Sequence, residues 1–144
     1  MLTFDKESQT RILRVAGERS EGKAVNDEDQ PIVKIMDLHS EFDDLWLQGE
    51  LASYPQEING SVVNPFVHTV LHCIIDWQIT NEDPIYVTET KERLIGQGMD
   101  EHECLHTIIK EYAEVYFKNF RNGRGFDHLD YQSRLNQLSY IMDG

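Results

Sequence analysis

Helix-start signals and glycine stops cut this chain into a series of short helical segments and leave little room for any other fold. Proline has no backbone N–H and a fixed φ, so it sits comfortably in the first helical turn and nowhere deeper. Pro31, Asn64-Pro65 and Asp83-Pro84 all read as helix beginnings, and Gly49, Gly96, Gly98 and Gly123 read as helix ends. Asp100 followed by Glu103 adds a capping-box arrangement at a further start.

Between these marks the apolar residues recur at helical spacing. Residues 5–19 predict a short first helix and 20–30 a polar linker. From Pro31 a helix is expected to about residue 48, with Ile32, Ile35, Met36, His39, Phe42, Leu45 and Trp46 along one side. The stretch 50–63, with Pro55 and Asn59-Gly60, reads as a long ordered loop. Further helices are expected over 64–80, 84–95, 100–122 and 127–142, the last with Leu129, Leu135, Leu138 and Met142 on one side. Strand patterns are essentially missing. The expected fold is all-α: an antiparallel helical bundle of four main helices plus one or two short ones. It is expected as a single domain over 1–144, with 1–30 a peripheral helix and linker and 31–144 the bundle.

Charge narrows the choice of partners. The 144 residues carry 13 basic and 26 acidic side chains, a net charge of −13. That field repels nucleic-acid backbones and anionic membrane surfaces, and it favours cations. Neither nucleic acid nor a membrane is therefore expected as a partner. No apolar run reaches membrane-spanning length, and the first residues hold no apolar signal core, so a cytoplasmic location is expected. Cys73 and Cys104 are too few for a disulfide framework and read as reduced, apolar-like thiols.

Histidine carries the chemistry. His68 and His72 are four residues apart, and so are His102 and His106. On a helix that spacing puts two imidazoles on one face, one turn apart, where both can reach a single metal. Random placement of six histidines gives roughly 0.25 such pairs, so two separate pairs are a signal. With one helix between the two carriers, an up-down-up path makes them parallel. The pairs then sit at similar depths, roughly 6 and 12 Å into one helix and 3 and 9 Å into the other. His68, His72, His102 and His106 are the expected ligands of a divalent transition metal, zinc ahead of nickel or iron.

The second pair reads His102-Glu103-Cys104-Leu105-His106, an HExxH sequence. In a zinc peptidase the glutamate of such a helix is the general base for a metal-bound water. Four histidines would close a tetrahedral site, however, and Glu103 also stands where a capping box places a glutamate. Glu103-x-x-His106 resembles one element of a di-iron bundle, but the residues three before His72 and His68 are Thr69 and Pro65, so its second copy is missing. Asp76, one turn beyond His72, is a candidate oxygen ligand. His39, on an apolar stripe beside Met36 and Phe42, reads first as a satisfied core residue and second as an extra ligand. His128 reads as a surface residue, and Tyr112, Tyr116, Phe117 and Phe120 as core packing. The competing account of all these histidines is a metal-free bundle in which they bond to one another and to carboxylates.

The stretch from Asn64 to Leu138 resembles a family of short bacterial proteins known only as a domain of unknown function. The resemblance is carried by Asn64-Pro65-Phe66-x-His68-x-x-x-His72, Gln78, Pro84, Arg93-Leu94, His102-Glu103-x-x-His106, Arg121-Asn122-Gly123, Tyr131 and Arg134-Leu135. It implies a shared helical fold and shared histidines, and supplies no reaction. The reading favoured is thus a metal-binding helical bundle, with two alternatives beside it. One is a metal-dependent hydrolase using Glu103 as general base. The other is a metal-free interaction module in which a flank of the 31–48 helix meets a partner or a second copy in a homodimer.

Overall fold

The computed structural model describes residues 2–58 and 60–140. Asn59 and Met142, both used in the sequence reading, lie outside the described residues. The chain is all-α, with seven α-helices and one two-stranded hairpin among the described residues. By internal contacts it divides into two compact units, Met1–Ile74 and Ile75–Gly144.

In the first unit, α1 (Lys6–Ser20) starts where the Asp5 side chain accepts from the Ser8 N–H. Its buried face, Ile12, Val15 and Ala16, packs on α2 (Gln30–Leu38) and on α3 (Asp43–Trp46). The segment expected to be polar linker holds a buried anchor instead. Asp29 is only 3% exposed and accepts from Arg11 Nε and Arg14 Nη2, each at 2.7 Å.

The helix expected over 31–48 is not continuous. α2 stops at Leu38, His39 adopts φ −127° and ψ 56°, and a 3-10 turn over Ser40–Phe42 leads into α3. The break falls at His39 itself. Its ring Nδ1 lies 2.8 Å from the Ile35 carbonyl oxygen, the acceptor its own N–H would use in a helix, and that N–H bonds Met36 instead at 3.1 Å. The expected 50–63 loop also differs. After a 3-10 turn over Gly49–Ser53, β1 (Gln56–Ile58) pairs antiparallel with β2 (Ser61–Val63). Gly60, at φ 82°, supplies the positive φ that a two-residue hairpin connection needs.

α4 (Pro65–Thr80) begins as its sequence requires, with Asn64 Oδ1 accepting from the Val67 N–H at 3.1 Å. In the second unit α5 (Ile85–Gly96), α6 (Glu101–Arg121) and α7 (His128–Gln137) pack on one another. Asp100 caps α6 by accepting from the His102 and Glu103 N–H groups, and Gly123 at φ 65° closes it. Val87, Leu94, Ile108, Val115, Tyr131 and Leu135 form the interior of this unit. Phe120, expected in the core, is 71% exposed, because α6 turns Val115 and Asn119 inward at that level.

Candidate metal centre

Three imidazoles meet in the first unit. His68 and His72 stand one turn apart on α4, and their Nε2 atoms are 3.1 Å apart. His39 comes from the break after α2, with its Nε2 3.0 Å from that of His68. The ring centroids are 4.6 Å apart for His39–His68, 4.6 Å for His39–His72 and 4.7 Å for His68–His72. His39 and His72 are each 2% exposed. Phe42 closes one side, stacked on the His39 ring at 5.7 Å and edge-on to His68 at 5.4 Å.

Proton bookkeeping shows what such a cluster can hold. A neutral imidazole has one N–H, and a carbonyl oxygen only accepts. His39 therefore carries its proton on Nδ1, facing Ile35, and turns the Nε2 lone pair toward His68. His68 Nε2 touches two other Nε2 atoms. In neutral rings, either one proton is shared between both contacts or one contact sets lone pair against lone pair. A cation among three lone pairs satisfies all of them together, and the carbonyl bond on the far nitrogen of His39 is the kind that orients a metal-binding ring.

The other expected ligands are placed as follows. His102 and His106 stand together on the first turns of α6, with ring centroids 4.2 Å apart. Glu103 is exposed, and its backbone N–H is held by Asp100. Asp76 is half-buried on α4, and His128 is exposed at the start of α7, edge-on to Phe126. Cys73 is half-buried on α4 and Cys104 is buried on α6. Burial, set against the charge of Lys91, pushes the Cys104 thiol up, and its sulfur faces the Lys91 carbonyl. Such a thiol behaves as a small apolar side chain.

The family model described as Domain of unknown function (DUF1841) matches residues 6–137. The chain belongs to that family. No curated protein and no solved structure matches it. In this DUF1841 chain several residues quoted for the resemblance have structural work. Tyr131 donates to Gln78 Oε1 at 2.9 Å, and Arg93 donates to the Leu135 and Leu138 carbonyls at the end of α7. Arg134 is paired with Asp130, Glu111 and Glu114. These contacts hold the second unit together.

No helix among the described residues is long and apolar enough to cross a membrane.

Proposed function

We propose that this protein binds a divalent transition metal through His39, His68 and His72 of the first unit. The observation that carries the reading is the approach of the His39 and His72 Nε2 atoms to that of His68, at 3.0 and 3.1 Å, with His39 and His72 buried and Phe42 against the His39 and His68 rings. Imidazole donors suit zinc, nickel, copper or iron ahead of magnesium or calcium. The net charge of −13 assists by concentrating cations near the protein.

His102 and His106 belong to the second unit and form no part of this reading. Their rings stand edge-on to each other on α6, whose start Asp100 caps at the His102 and Glu103 N–H groups. The test is calorimetric titration of zinc and nickel salts into tag-free apoprotein, beside His72→Ala. One equivalent bound by the parent, and affinity reduced at least about 100-fold in the variant, is expected. Equal heats from parent and variant would refute the site.

A further inference from the structure

Nitrogens that share an ion set its coordination angle by their spacing. The Nε2 atoms of His39 and His68 are 3.0 Å apart, and those of His68 and His72 are 3.1 Å apart. At a metal–imidazole bond of about 2.1 Å such pairs subtend roughly 90° at the ion, whereas tetrahedral ligands at that bond length stand about 3.4 Å apart. The spacing is not left to chance. α4 fixes two of the rings one turn apart, and the Ile35 carbonyl holds the third.

The ring centroids decide how the three are arranged. Their triangle has sides of 4.6, 4.6 and 4.7 Å, which is nearly equilateral. Three ligands strung along one meridian would place two of them opposite each other and lengthen one side to about 1.4 times the others. Equal sides fit three imidazoles spread over one face of an octahedron better than three along a meridian.

We infer that the triad is the facial cap of a six-coordinate ion of the iron, cobalt or nickel type, which keeps positions for water or a small oxygen- or nitrogen-donor ligand. This rests on the metal reading above and deepens it. Three facial nitrogens leave three positions on the opposite side. His39 and His72 are 2% exposed, so the ligand that enters is small. A tetrahedral zinc site closed by four histidines has no such vacancy.

The test is to load tag-free apoprotein with cobalt(II) and record its visible absorption before and after adding azide. The expected result is one equivalent of cobalt with the weak bands of a six-coordinate ion, and a changed spectrum when azide replaces water. Intense four-coordinate bands that ignore azide would overturn the six-coordinate cap while the metal site itself stood. Failure to take up cobalt, zinc or nickel, in protein with unchanged helical circular dichroism, would remove the metal reading and this inference together.

Discussion

The Nδ1 atom of His39 lies 2.8 Å from the carbonyl oxygen of Ile35, and this contact aims the ring at the point where α2 ends. The same bond leaves the Nε2 lone pair of His39 facing His68. Local fold and candidate chemistry are joined in a single side chain.

His39→Phe tests that junction. A phenyl ring fills much the same space without competing for the Ile35 carbonyl, so helical circular dichroism should hold or rise slightly. Metal affinity should fall by at least about tenfold, read by calorimetric titration. Unchanged affinity would show that His39 is a core residue only.

A different prediction concerns acid stability. Burial opposes the charge on Asp29, but hydrogen bonds from Arg14 and Arg11 outweigh it and hold the carboxyl below the ordinary carboxylate range. A group with a lowered folded pKa contributes stability that is fully present above its unfolded value of about 3.9 and is lost as pH falls through the folded value. Asp29→Asn should therefore cost roughly 1–3 kcal/mol at neutral pH and much less in acid. The arginine side chains are 34% and 45% exposed, so solvent screening favours the low end. Urea melts at neutral and acid pH measure the difference, and an equal cost at both would contradict the pairing.

The alkaline limb belongs to the tyrosines of the second unit. Burial, with Tyr116 adding a little, pushes Tyr112 up to about 12. Burial raises Tyr131 further, with Tyr86 and Tyr112 contributing. Raised folded values give stability that is complete below the unfolded value of about 10 and is lost as pH climbs toward the folded ones. Tyr131→Phe should cost about 1 kcal/mol at neutral pH, by losing the bond to Gln78, and the gap to the parent should narrow above about pH 10. Thermal melts across that range check it, and a gap that widened with pH would contradict it.

What the sequence made legible follows from how locally each feature is determined. Asn64, Asp100 and Gly123 act within one helical turn, and the helices they bound stand where the punctuation puts them. The His68–His72 approach needs only helix periodicity, so it was legible too. The place of His39 beside His68 and His72 is harder to read, because it depends on a chain break at His39 that a periodic apolar stripe conceals. Asp29 was hidden for a related reason. Amid polar neighbours nothing marks it as buried, since its burial depends on Arg11 and Arg14 arriving from another helix. The hairpin was missed because three-residue strands are too short for alternation to show, although Asn59-Gly60 is the dipeptide such turns favour.

The central claim is most directly tested by the metal content of protein purified without a histidine tag, measured by elemental analysis and paired with thermal melting before and after chelation. About one equivalent of iron, nickel, cobalt or zinc, with a lower melting temperature once it is removed, is the result predicted. No metal at stoichiometric level, and no shift in melting when any of these ions is added back, would contradict it and leave three histidines packed together for structure alone.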